Sequence, residues 1–166
     1  DVILSQENVK KKKSVILSVT RQGISRSIGD ITQAIQNMRY ILEDDEWKKI
    51  SKSKNEDQET LFLEYWDSKD PTPDTPDNEL MDEYFSRVNY SNANFKGYRQ
   101  GWKTDMGMIY ILFGPPDDLE IYNDPLSRMY SQRWHYYRIN KYFDFIDEQG
   151  FGDYRLTTPF LRGRNW

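Results

Sequence analysis

Five carboxylates, Asp67, Asp70, Glu79, Asp105 and Asp117, sit where acid–base chemistry could be built. Two such groups converging on one bond can protonate a leaving group and activate water, as in glycoside hydrolysis. With 27 acidic residues in the chain, nearness of any two carries little weight. Asp67 and Asp70 also fall at the end of an expected helix, where capping or solvent exposure is commoner. A second oxygen-rich segment, Asp144, Asp147, Glu148 and Asp153 around Gly150 and Gly152, has the composition of a calcium loop. It lacks the alternating acids of an EF-hand, and an acid-flanked hairpin turn is the simpler reading. His135 is the single histidine and there is no cysteine, so neither a histidine-rich nor a thiolate zinc site is expected. No nucleophile elbow accompanies His135. Catalytic residues, metal and cofactor are all expected to be none.

Binding offers more. Gly101-Trp102-Lys103-Thr104-Asp105 gathers an indole, a hydroxyl and a carboxylate beside a glycine. In one reading Trp102 plugs a core while Thr104 and Asp105 hydrogen-bond backbone amides. In the other, Trp102, Thr104 and Asp105 stand at the rim of a groove for a ligand or partner. Gly114-Pro115-Pro116-Asp117 makes a rigid turn, because proline fixes φ. It is too rich in proline to cradle phosphate, and a rigid loop suits contact with another protein. Trp134 and Tyr136 belong to an aromatic cluster with Tyr137, Tyr142, Phe143 and Phe145 on expected paired strands. One face of that cluster belongs in a core, and an open face would bind a sugar or a protein.

A chain of 166 residues holds one domain, or one domain and a fragment of another. Its 37% hydrophobic content is low, and 15% aromatic residues partly offset it with a few large side chains. A net charge of -4 gives no overall positive field for nucleic acid. Lys10-Lys11-Lys12-Lys13 is the local exception and reads as a solvated turn. No apolar run reaches the ~20 residues that span a bilayer.

Several elements must position these groups. Ser14 to Thr20 alternates like a strand, the last of a preceding β-domain or an addition to the main sheet. Gly23 and Gly29 mark a linker. Asp30 caps a first helix carrying Ile31, Ala34, Ile35, Met38, Ile41 and Leu42 at helical spacing. A short second helix begins at Asp44 or Asp45 and buries Trp47 and Ile50. Asn55 and Gln58 suggest a capping box for a third, with Leu61, Phe62, Tyr65 and Trp66 on one stripe, ended by Pro71 and Pro73. Thr75-Pro76-Asp77 restarts a helix that buries Leu80, Met81, Tyr84, Phe85 and Val88, with Gly97 as its stop. The continuous apolar run Met108 to Phe113 is expected to be a central strand. Leu119–Tyr122, Gln132–Arg138, Tyr142–Ile146 and Asp153–Thr158 follow as an antiparallel meander, with turns at Asn140-Lys141 and Gly150-Phe151-Gly152. The fold class expected is α+β: three to four helices layered on an antiparallel meander of four to five strands. Residues 1–29 are expected to be the end of a preceding β-domain plus a linker, 30–160 the domain, and 161–166 a tail.

The chain resembles the GWxTD-domain family. Gly101-Trp102-Lys103-Thr104-Asp105 carries the resemblance, together with Ala34 to Ile41, Tyr65 to Pro73, Asn78-Glu79, Tyr84 to Val88, Gly114 to Asp117, Trp134-His135-Tyr136 and Phe143-Asp144-Phe145 in the same order. Three positions depart from the family pattern. Met106 and Met108 stand where basic residues are usual, and Lys69 where arginine is usual. Lysine lacks the two-pronged grip of arginine on an anion, so an anion site built there would be weakened or lost. The resemblance implies an exported protein of Bacteroidota-like bacteria, periplasmic or outer-membrane-associated. The order of elements is also similar to that of small lipoproteins of the outer-membrane barrel-assembly machinery, an analogy of layout alone.

The expected function is therefore a non-catalytic protein-interaction or scaffold domain. Its expected partners are other proteins of a cell-envelope complex, with no nucleic acid and no membrane span in this chain. The alternative is a carboxylate-dependent hydrolase, or a binding module acting on glycan or peptidoglycan.

Overall fold

Side chains of Asp30, Asn78 and Thr104 set where three of the five described α-helices begin. In a computed structural model, the structure describes residues 30–160, apart from Lys96, Pro125, Ser127 and Arg128. The strand expected at Ser14–Thr20, the lysine run, the glycine linker and the tail lie outside the described residues. Helix α1 spans Ile31–Asn37 and passes into a 3-10 turn at Met38–Tyr40. Asp30 caps it as expected, its carboxylate accepting the Thr32 N–H at 2.9 Å. Helix α2, Asp44–Lys52, has Asp44, Asp45 and Glu46 in its first turn and Lys49 and Lys52 in its last, matching charge to the helix dipole.

Helix α3 runs Asn55–Asp67. The expected capping box is not formed, because the cap position falls to Lys54 and has no side-chain bond. The Gln58 amide instead reaches back to the carbonyls of Ser51 and Ser53, closing the α2–α3 connection. Helix α4 runs Glu79–Asn94, starting later than Thr75-Pro76-Asp77 suggested. Asn78 is the reason. Its side-chain oxygen accepts the Met81 N–H at 2.9 Å, and its amide donates to the Trp66 carbonyl at 2.7 Å. One buried side chain thus starts α4 and ties off α3. Leu80, expected in the buried stripe, is 47% exposed, whereas Met81, Tyr84, Phe85 and Val88 are buried.

The largest departure is the run Met108–Phe113. It is part of helix α5, Asp105–Phe113, and not a strand. Thr104 adopts extended backbone as its N-cap and accepts the Gly107 N–H through Oγ1 at 3.0 Å. Gly114, at φ 79°, closes it by donating its N–H to the Tyr110 carbonyl. The sheet therefore starts at Asp118 rather than near Gly107. It has four antiparallel strands in the order β1-β2-β3-β4: Asp118–Asp124, Met129–Tyr136, Lys141–Asp147 and Arg155–Leu156. Strand β2 stops at Tyr136, before the expected Arg138, and a 3-10 turn at Tyr137–Ile139 follows. Asn140, at φ 49°, makes the left-handed turn into β3. The fold is α+β.

The described residues form two compact units, 30–36 with 48–85 and 37–47 with 86–160. In the first, Phe62, Leu63 and Trp66 of α3 pack with Met81, Tyr84 and Phe85 of α4. Ring centroids lie 5.5 Å apart for Trp66–Tyr84 and 6.0 Å for Phe62–Phe85. In the second, α5 covers the sheet: Met106 and Ile109 join Trp134, Tyr136, Phe143 and Phe145 in one buried cluster. Register places Trp134 opposite Phe143, so alternate residues of β2 and β3 feed this face together, as the alternation predicted.

Replacing Asn78 with Ala strips the cap from α4 and leaves the Trp66 carbonyl without that partner. The expected loss is about 1–3 kcal/mol of unfolding free energy, read by urea denaturation.

Candidate docking groove

The motif Gly101–Asp105 sits where α4, a 3-10 turn at Gly101–Lys103 and α5 meet backbone to backbone. A Cβ on Gly101 would lie 1.9 Å from the Ser91 carbonyl oxygen. A Cβ on Gly107 would lie 1.9 Å from the Gly101 carbonyl oxygen. No side chain fits at either position. Thr104 staples the joint by donating its hydroxyl to the Gly101 carbonyl at 2.7 Å while capping α5. Trp102 is 5% exposed, and Tyr40 stands edge-on to it at 6.0 Å. The indole N–H donates to the Gln100 side-chain oxygen, the backbone N–H to Asn92, and the carbonyl accepts from the Tyr40 hydroxyl. Asp105 accepts the Leu156 N–H at 2.9 Å, tying the start of α5 to β4.

The Pro-Pro loop leaves α5, not a strand. Gly114 needs its positive φ, and the Arg87 guanidinium carbon would stand 3.2 Å from any Cβ there. The Gly114 carbonyl accepts the Tyr136 hydroxyl at 2.9 Å. Burial pushes the Tyr136 phenol up, so it remains a donor. Asp117 turns its carboxylate back to the Tyr137 N–H at 2.7 Å.

Between these two anchored segments lies a pocket of about 450 Å³. Tyr90 and Asn94 of α4 and Phe95 just beyond it form one wall; Met106 and Tyr110 of α5 form another. Tyr90 and Tyr110 stack at 4.3 Å and 11°, and Phe95 meets Trp134 at 5.5 Å. Pro115, Pro116, Leu119, Gln132 and Trp134 complete the floor and rim, with Thr104, Gly152 and Tyr154 at the margin. Not one lining residue is charged. The polar side chains are partly committed already: Asn94 donates to the Tyr90 carbonyl, Gln132 accepts from the Trp134 indole, and Thr104 is the α5 cap.

Of the residues singled out in sequence, the pocket brings together Thr104, Pro115, Pro116 and Trp134. Trp102, Asp105, Gly114, Asp117 and Tyr136 stand outside its lining, with the internal partners given above. Tyr90, Asn94, Phe95, Tyr110 and Leu119 were not legible as site residues. They come from different elements and carry no local motif.

Of the remaining candidate acids, Glu79 and Asp70 both bond Thr72: Glu79 accepts from the hydroxyl, which lowers its pKa, and Asp70 accepts the N–H. Asp67 is raised by burial, with Asp70 and Glu64 adding to the effect. On the outer face of the sheet, Arg133 forks onto Asp144 at 2.7 and 3.0 Å. His135 meets Glu120 at 2.9 Å, and the Tyr122 hydroxyl also bonds Glu120. At the oxygen-rich turn, Asp147 accepts the N–H groups of Gln149, Gly150 and Gly152. Among the described residues no cluster of histidine and carboxylate groups is arranged to hold a metal. No helix among them is long and apolar enough to cross a membrane.

These observations define an α+β domain with a packing joint at its signature motif and an uncharged aromatic groove beside it. A family model described as GWxTD domain matches residues 2–158, and the chain belongs to that family. No curated protein and no solved structure matches the chain.

Two measurements test this geometry. Gly101→Ala should cost more than about 3 kcal/mol, because a methyl cannot share space with a backbone oxygen. Gly97→Ala, with nothing within 4 Å, should stay within about 1 kcal/mol. The second concerns Asp147. Burial pushes its carboxyl up, but the N–H donors of Gly152, Gln149 and Gly150 outweigh burial and hold it below the ordinary value. A depressed folded pKa means stability that is full above the unfolded value and is lost as pH falls through the folded one. The stability deficit of Asp147→Asn against the parent should be constant above about pH 5 and shrink below about pH 4.

Proposed function

We propose that this domain is a non-catalytic interaction module whose docking site is the aromatic groove, and that its occupant is an uncharged, apolar stretch of a partner polypeptide. The single observation that carries the reading is the lining: stacked and tilted aromatic rings, two prolines and a leucine, with no charged side chain. Such a surface gains by excluding water from apolar area and by ring contacts. It offers no carboxylate and no histidine, which counts against the carboxylate-dependent hydrolase alternative. Phosphorylated or strongly acidic ligands would find no cation there. Tyr90 and Leu119, each 45% exposed, are the rings and branches most available to a partner. The two prolines keep the rim in one conformation, which lowers the ordering cost of docking.

A neutral glycan is the second reading, favoured by the aromatic walls with Asn94 and Gln132 nearby. Their partial commitment to internal hydrogen bonds weighs toward a protein segment. Export, and membership of a periplasmic or outer-membrane-associated assembly, fits the family resemblance and is part of the same proposal.

The test places a photo-crosslinking amino acid at Leu119, in the groove, and at Tyr137, on the outer face. Crosslinking is done in the native cell-envelope fraction, and the adducts are mapped by mass spectrometry. The expected result is one partner peptide, low in charge, joined at Leu119 and not at Tyr137, and lost in Tyr90→Ala. Equal labelling from both positions, or a glycan adduct at Leu119, would overturn the protein reading.

A further inference from the structure

A polypeptide lying in the groove must find partners for its own amides. The floor is the face of a sheet, and the backbone there is already paired. Gln132 and Trp134 of β2 face Ile121 and Leu119 on one side and Phe145 and Phe143 on the other. An extended segment on this face therefore meets no ladder to join. Side-chain acceptors are scarce too. Gln132 commits its oxygen to the Trp134 indole, and Thr104 commits its hydroxyl to Gly101 and to the start of α5. A buried N–H left without a partner costs more than one hydrogen bond gains.

Proline has no N–H to leave unpaired. A polyproline II segment makes no internal hydrogen bonds, so its carbonyls remain as acceptors. That need matches what Gln132 still offers, its amide nitrogen, a donor. The wall also suits prolyl rings. Tyr90, Tyr110, Phe95 and Trp134 pack on one another, with Phe95 at 5.6 Å from Tyr110 beside the contacts already given. Their electron-rich faces attract the C–H groups that an amide nitrogen polarises in a pyrrolidine ring. An α-helix also keeps its amides paired, but it brings aliphatic tips without that polarisation.

We propose that the segment docked in the aromatic groove is proline-rich and held in the polyproline II conformation. The inference rests on the groove being a docking site for polypeptide, and it names the backbone that the site selects. Such a ligand is ordered before it binds, which suits a groove whose Pro115-Pro116 rim is rigid as well.

The test pans random nine-residue peptides displayed on phage against the full chain. Tyr90→Ala and, separately, Leu119→Glu serve as counter-targets, with circular dichroism to verify that both keep the parent fold. Peptides held by the parent and lost on both variants should carry prolines three positions apart, the repeat of the polyproline II helix. In a synthetic peptide of that set, changing one such proline to alanine restores an N–H and should weaken binding about tenfold. N-methylalanine, which lacks the N–H, should recover part of the loss. Groove-dependent peptides without proline enrichment, or unchanged affinity on the change to alanine, would overturn this inference and leave the groove as a docking site. No groove-dependent peptide at all would also overturn it, and the groove reading falls with it only if the Leu119 crosslink is absent too.

Discussion

Backbone contact at Gly101 is the constraint on which the second unit depends. The Ser91 carbonyl leaves no volume for a Cβ on Gly101, and the Gly101 carbonyl leaves none for a Cβ on Gly107. Because the chain can pass that closely, Thr104 reaches both the Gly101 carbonyl and the Gly107 N–H. The cap then sets where α5 begins, and Asp105 hooks that beginning to β4. Motif residues of this kind attract functional readings because they are unusual. Here their partners are internal, and the motif acts as a joint that aims a helix at a sheet.

What the joint aims is a helix with almost no solvent face. Met106, Ile109, Ile111 and Leu112 are buried, and Met108, Tyr110 and Phe113 are half-buried. Its contacts with Trp134, Tyr136, Phe143 and Phe145 form the core of the second unit. Large rings build this core in a chain of low aliphatic content, and ring packing leaves angular gaps at the margin. The groove is one such gap, opened between the end of α4 and the rigid Pro-Pro turn. Site and core thus share Trp134 and Met106, so the groove cannot be altered at its floor without loosening the fold.

Much of this was legible in the residues. The alternation of Trp134 and Tyr136, and of Phe143 and Phe145, gave the meander and its buried face correctly, since period-2 patterning reports a half-buried strand. The apolar run before Gly114 was not legible by periodicity. A helix buried on every side has no polar position to reveal a period of 3.6, and a short run of that kind reads equally as a central strand. The deciding signals were local ones, Thr104-Asp105 at the start and Gly114 at the stop. Asn78 and Thr75-Pro76-Asp77 both have the residue types of a cap, and only the bond from Asn78 to the Trp66 carbonyl, a tertiary contact, distinguishes them. The groove was half visible. Its prolines and Trp134 stood out, whereas Tyr90, Phe95 and Leu119 gain their role only through tertiary approach.

The most direct test of the account is the backbone state of Met106–Phe113, measured by NMR on the full chain. A helix held by the Gly101 joint predicts strong sequential amide–amide contacts and downfield Cα shifts throughout that run, with the Gly114 amide bonded to Tyr110. Strong sequential Cα–amide contacts with strand-like shifts, and cross-strand contacts from this run into the sheet, would contradict it.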